Sequence, residues 1–183
     1  PGTLTSITDA SGDDGFGGYA FLAGLPGTVF IMSVDWPPFA LSALKASACE
    51  AQARLREAGH ASALPYLSMP AAELFASAAL PRAVARAVGI SATYAVGDCG
   101  PAAGTISAMH SGNGQMLVIL EVVRSVDVPF ISVKVPREAN LDADRLSHPK
   151  QLELVLQEAT ALGLRVVELQ PCADDWAILR RAI

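Results

Sequence analysis

The chain has 183 residues, enough for one α/β domain with a buried sheet, and at 51% apolar and 17% charged residues it is too hydrophobic to be disordered. Lys plus Arg total 13 against 18 Asp plus Glu, a net charge of −5 without any basic run, which speaks against nucleic acid or an anionic membrane surface as the main partner. No apolar stretch reaches the roughly 20 residues that cross a bilayer.

Residues 1–18 are rich in Gly, Thr, Ser and Asp and lack the basic-then-apolar pattern of a signal peptide. Cys49, Cys99 and Cys172 are scattered, with no CxxC pair, as in proteins of a reducing compartment. A cytoplasmic location is expected.

In chain order, a weak strand at 3–8 leads into the loop "SGDDGFGGY" (11–19), and "TVFIMSVD" (28–35) is a buried strand. The spacing then predicts a helix over 36–60, with prolines in its first turn, Leu41, Leu44, Ala48, Ala51 and Leu55 on one face, and Gly59 as its stop. "SALPYLSM" (62–69) reads as a strand weakened by Pro65. Residues 70–89 read as a helical region that restarts at Pro81 and stops at Gly89.

"ISATYAV" (90–96) is a strand, and "QMLVILEVVR" (115–124) is read as a helix separating it from the strand "VPFISVKV" (128–135). "SHPKQLELVLQEATALG" (147–163) is the clearest helix, with Ser147 as N-cap, an apolar side of Leu152, Val155, Leu156, Ala159 and Leu162, and Gly163 as stop. "LRVVEL" and "DDWAILRRA" close the chain as a strand and a helix. This alternation predicts a single domain over 1–183, with a mostly parallel sheet between helical layers, a three-layer α/β/α arrangement.

In such a sheet, ligands bind at the carboxyl ends of the strands. Three loops should meet there: "GDDGFGG" (12–18), "GDCGPAAGT" (97–105) and "KVPRE" (134–138). Asp13 or Asp14 offers a metal-binding carboxylate, or simply the turn chemistry that Asp and Gly supply. Asp98, at a strand end, and His110, one short loop and turn later, suit a metal or an acid/base pair, or a cap and a half-exposed ring. Cys99 is a thiol near a helix N-terminus, either activated there or a small buried side chain. His60 and His148 are expected to be solvated, and Trp36 and Trp176 to fill core edges.

The order "ALPRAVARAVGISATYAV", "AAGTISAMH", "PFISVKVP", with "GFGG" near the start, resembles the pyroglutamyl peptidase family. The resemblance implies a phosphorylase/peptidase-like fold and a small amide or peptide-end ligand lodged among Phe16, Gly17, Gly104, Thr105 and Ser132. The family's nucleophile position holds Ala108 and its histidine position Ser132, so the ordinary thiolate mechanism is not expected; Asp98, His110 and Cys99 remain as catalytic candidates. "GDDGFG" is also similar to the first loop of the hydrogenase maturation endopeptidases. That likeness implies a nickel or zinc site at Asp14, Asp98 and His110. The first resemblance implies no cofactor. A homo-oligomeric, non-catalytic interaction protein is a third expectation.

Overall fold

The computed structural model describes residues 2–48, 57–59 and 65–183. The strands are β1 (Thr3–Ala10), β2 (Gly15–Leu22), β3 (Thr28–Asp35), β4 (Ala92–Gly97), β5 (Phe130–Lys134) and β6 (Arg165–Glu168). The helices are α1 (Pro38–Ala48), α2 (Met69–Val88), α3 (Gly100–Ala108), α4 (Gly114–Arg124), α5 (Leu141–Leu146), α6 (Leu152–Ala161) and α7 (Ala173–Ala182), with 3-10 turns at Arg137–Ala139 and Pro149–Gln151.

One six-stranded sheet runs in the order β5-β4-β1-β2-β3-β6. β1, β2 and β3 pair antiparallel as a meander, whereas β4 and β5 join β1 in parallel and β6 joins β3 in parallel. The architecture is therefore mixed α/β, and the expectation of a mostly parallel pairing is corrected for β1–β3. The physical reason is connection length: residues 11–14 and 23–27 allow hairpin turns, not the helical crossover that a parallel pair needs.

The same correction turns "GFGGY" from loop into strand. Its glycines have low strand propensity, but here they are required by close approach. A Cβ on Gly17 would sit 2.3 Å from the Leu146 carbonyl oxygen and 2.5 Å from that of Met32. That clearance lets the end of α5 lie directly on β2, and Ser33 Oγ of the neighbouring β3 donates to the Leu146 oxygen at 2.6 Å.

Helices cover both faces. On one, α2 lies across β1, β2 and β4, its Leu74, Phe75 and Leu80 fully buried with Leu4, Phe30 and Met32 of the sheet. Phe16, Trp36, Phe75 and Trp176 form an aromatic cluster in this core, with the Phe16 ring 4.6 Å from Trp36 and 5.4 Å from Phe75. On the other face, Val29 and Ile31 meet Leu146, Leu152, Val155, Leu156 and Ala159. Consecutive β3 residues thus serve opposite cores, as the period of two requires.

Several local expectations change. α2 is continuous through Pro81, since burial of twelve of its residues outweighs one lost backbone hydrogen bond. Residues 65–68 form no strand; the rest of "SALPYLSM" before them, 62–64, and the segments 49–56 and 60 of the 36–60 helix lie outside the described residues. Ser147 closes α5 instead of capping α6, its hydroxyl donating to the Asp144 carbonyl at 2.7 Å. "QMLVILEVVR" is helical: the Asn113 side chain accepts from the N–H groups of Gln115 and Met116 and so nucleates α4. No described helix is long and apolar enough to cross a membrane.

Candidate metal centre

β1 and β4 are parallel neighbours, so both end at one rim of the sheet. Asp9 stands one residue before the end of β1, and Asp98 follows β4 directly. From the α2 face, Glu73 reaches the same rim in the first turns of its helix and accepts from the Ala10 N–H. Oxygens of Asp9, Glu73 and Asp98 all lie within 4.8 Å of one another. They share a cleft of about 340 Å³ with Ser11, Gly12, Met69, Arg137, Asp144, Ser147 and His148.

Gathering these acids has an electrostatic consequence. Burial, then the charges of Asp98 and Asp144, push the Asp9 carboxyl up to about 6. Burial, then Asp9 and Asp98, push Glu73 up to about 9. Both shifts follow from removing carboxylates from water and placing like charges side by side. Among the described residues no Lys, Arg or His forms a salt bridge with Asp9, Glu73 or Asp98, and Arg137, 4.0 Å from Asp144, is mostly exposed.

Asn140 holds Asp9 in place. It is buried, and its Nδ2 donates to the Thr8 oxygen at 3.2 Å and to Asp9 Oδ1 at 3.5 Å. Its Oδ1 is buried without a hydrogen-bond partner among the described residues. Three carboxylates are a hard donor set. It suits magnesium, manganese or calcium; the imidazole in the same cleft, His148, is paired with Asp14, and among the described residues no imidazole or thiolate joins the three grouped acids.

Of the residues singled out in sequence, Asp98 is in the centre. Asp14 does not line the cleft but touches a residue that does, its Oδ2 lying 2.6 Å from His148 Nδ1. His110 is exposed beyond the far end of α3, which carries the chain roughly 13 Å away from Asp98; Asp14, Asp98 and His110 are not brought together. Cys99, the residue before α3, is half-buried, and burial pushes its thiol up, the opposite of an activated thiolate. Phe16 is fully buried in the aromatic core, and Gly17 lies under the Leu146 carbonyl. Gly104 is exposed on α3, Thr105 is buried with its hydroxyl 3.9 Å from Met116 Sδ, and Ser132 lies within β5. Asp13 is exposed in a turn whose Ser11 Oγ accepts from the N–H groups of Asp13 and Asp14.

Asp9, Glu73 and Asp144 are the residues the sequence reading missed. Glu73 had a legible signal: it is the single charged residue in the apolar run from Met69 to Leu80. Asp9 had a weaker one, an acid closing a strand. Asp144 had none, since its place depends on α5 resting on the glycines of β2.

No protein-family model and no curated protein sequence matches the chain. A similar solved structure is the N-terminal RNase H domain of rv2228c from Mycobacterium tuberculosis, determined as a fusion with maltose-binding protein. The TM-score is 0.47 and the identity 16%, over 87% of this chain and 99% of that one. The resemblance to pyroglutamyl peptidases is corrected, and with it the weaker one to maturation endopeptidases: the residues that carry them are not brought to one site. The quoted motif residues are, in the fold, a buried strand (Phe16, Gly17), the exposed end of a helix (Ala108) and an edge strand (Ser132).

Proposed function

We propose that the chain is a divalent-cation-dependent hydrolase of phosphodiesters, with a nucleic-acid backbone as the polymeric substrate class. The observation that carries this reading is the convergence of Asp9, Glu73 and Asp98 within 4.8 Å at the carboxyl ends of β1 and β4, with Asp144 in the same cleft. Carboxylates grouped in this way hold the metal ions of phosphoryl-transfer sites. A bound cation there supplies Lewis-acid stabilisation of the phosphoryl oxygens and lowers the pKa of an attacking water.

The chain's own residues do the rest. Asn140 fixes Asp9, and Glu73 is fixed by the Ala10 N–H. Arg137 lines the cleft beside Asp144 and is exposed enough to meet a phosphate; Lys134, at the end of β5, lies against Gly100 at the start of α3. An acidic floor with a basic rim matches a substrate that brings its own negative charge to a bound cation. The net charge of −5 weighs less against a polyanion once cations offset these four carboxylates.

The test is cleavage of single- and double-stranded DNA and RNA, DNA–RNA hybrids and bis(p-nitrophenyl) phosphate with Mg²⁺ or Mn²⁺. The reading predicts cation-dependent cleavage that a chelator stops and that Asp98→Asn lowers at least ~10²-fold. Failure to cleave any of these under saturating Mn²⁺ would overturn it.

A further inference from the structure

We propose that His148, held by Asp14, is the group that protonates the leaving oxygen in the hydrolysis; this rests on the phosphodiesterase reading above. The imidazole lines the same cleft as Asp9, Glu73, Asp98 and Asp144. It comes from the segment after α5, whereas Asp14 comes from the β1–β2 turn, and the two meet with Nδ1 2.6 Å from Oδ2. An exposed histidine would not be oriented in this way; here the fold supplies a carboxylate for one nitrogen and turns the ring toward the cleft.

The turn holding Asp14 is itself braced. Ser11 Oγ accepts from the Asp13 and Asp14 N–H groups, the Asp14 carbonyl accepts from the Trp36 N–H at 3.0 Å, and Trp36 Nε1 donates to the Ser11 carbonyl at 2.7 Å. Trp36 is buried in the aromatic cluster, so the carboxylate is anchored to the core. His148 is placed by the 3-10 turn that starts at Pro149 and by α5 resting on Gly17. Both partners are thus set before substrate arrives. With Nδ1–H donating to Asp14, Nε2 is the nitrogen left for the substrate. The hydrogen bond from His148 is also the largest cause holding the Asp14 carboxyl below its ordinary range.

A water oxygen bonds to phosphorus while the bond from phosphorus to the leaving oxygen breaks, its electron pair going to that oxygen. The leaving oxygen takes the proton from His148 Nε2 and departs as an alcohol. The proton lost by the attacking water passes to solvent, and solvent reprotonates the imidazole. A diester and water become a monoester and an alcohol, with no redox change.

The experiment compares leaving groups. An alkoxide leaving group, as in an oligonucleotide, needs a proton; p-nitrophenolate does not. His148→Ala is expected to lower kcat on an oligonucleotide about 10²-fold while changing turnover of bis(p-nitrophenyl) phosphate less than twofold. Asp14→Asn is expected to give a smaller loss with the same selectivity, and added imidazole to restore part of the oligonucleotide rate of His148→Ala. Calorimetric titration with Mn²⁺ should be the same for wild type and His148→Ala. Equal losses on both substrates, or no loss on either, would overturn the role of His148 while leaving the phosphodiesterase reading intact. Wild-type protein inert toward both substrates would instead sink that reading.

Discussion

Two groups of acid in this molecule are treated in opposite ways. Asp175, fully buried at the start of α7, is met by Arg82 at 2.6 Å and Arg86 at 3.2 Å, and also accepts from the Cys172 N–H at 2.7 Å. At the carboxyl ends of β1 and β4, Asp9, Glu73 and Asp98 meet one another instead. The first arrangement is a clasp: two guanidiniums on α2 neutralise one carboxylate and pin α7 to it. The second relieves its repulsion, without metal, by letting Asp9 and Glu73 keep their protons, and a cation in the cleft would favour the charged forms instead. The contrast separates the acids that hold the fold together from those that work.

Substitution should break the two groups differently. The largest effect is on catalysis: Asp98→Asn is expected to lower cation-dependent hydrolysis by ~10²–10³-fold with a melting temperature at or above that of wild type, measured without metal. Next, Asp175→Ala is expected to destabilise the protein by about 3–5 kcal/mol, because two arginines are left facing a buried void. Denaturant unfolding checks this; a loss under about 1 kcal/mol would mean the clasp is ornamental to the fold.

Gly17→Ala tests how the working group is built. Its new methyl would lie 2.3 Å from the Leu146 oxygen, so α5 must shift, carrying Asp144 and His148 with it. A destabilisation of about 1–3 kcal/mol is expected, with weaker Mn²⁺ binding seen by calorimetry.

A smaller effect comes from pH. Asp9 and Glu73 hold their protons up to about 6 and 9, against ordinary values of 3.8 and 4.5. Between those limits the folded chain binds more protons than the unfolded one, so these two groups make the metal-free protein less stable as pH rises from about 4 to about 9. Thermal melts should show that fall, and Glu73→Gln should flatten it. The smallest effect is expected for Cys99→Ala. Its thiol is pushed up by burial, so activity should stay within about twofold.

Much of the fold was legible because its signals are local. The 3.6-residue spacing marked α6, and the glycines at 89 and 163 mark helix ends with φ near 71° and 75°, where a side chain would strain. β2 was hidden because its glycines, which look like a loop, are selected by packing against Leu146 and Met32, contacts more than a dozen residues away in sequence. Missing β2 also concealed the meander, and with it the true neighbours of β1. The centre was half legible for the same reason. Asp98 follows a clear strand, but Glu73 joins it only because α2 crosses β1 and β4, and Asp9 only because β1 pairs beside β4. The segment that drew most attention in sequence, "AAGTISAMH", begins at the rim and leads away from it along α3.

Titration of the metal-free protein with Mn²⁺ by calorimetry, wild type beside Asp98→Asn, meets the central claim head on. Saturable binding to the wild type, at least tenfold weaker in the variant, is what a cation-holding rim requires. Wild-type protein that takes up no Mn²⁺, or a variant that binds it equally well, would show that these carboxylates serve some other end.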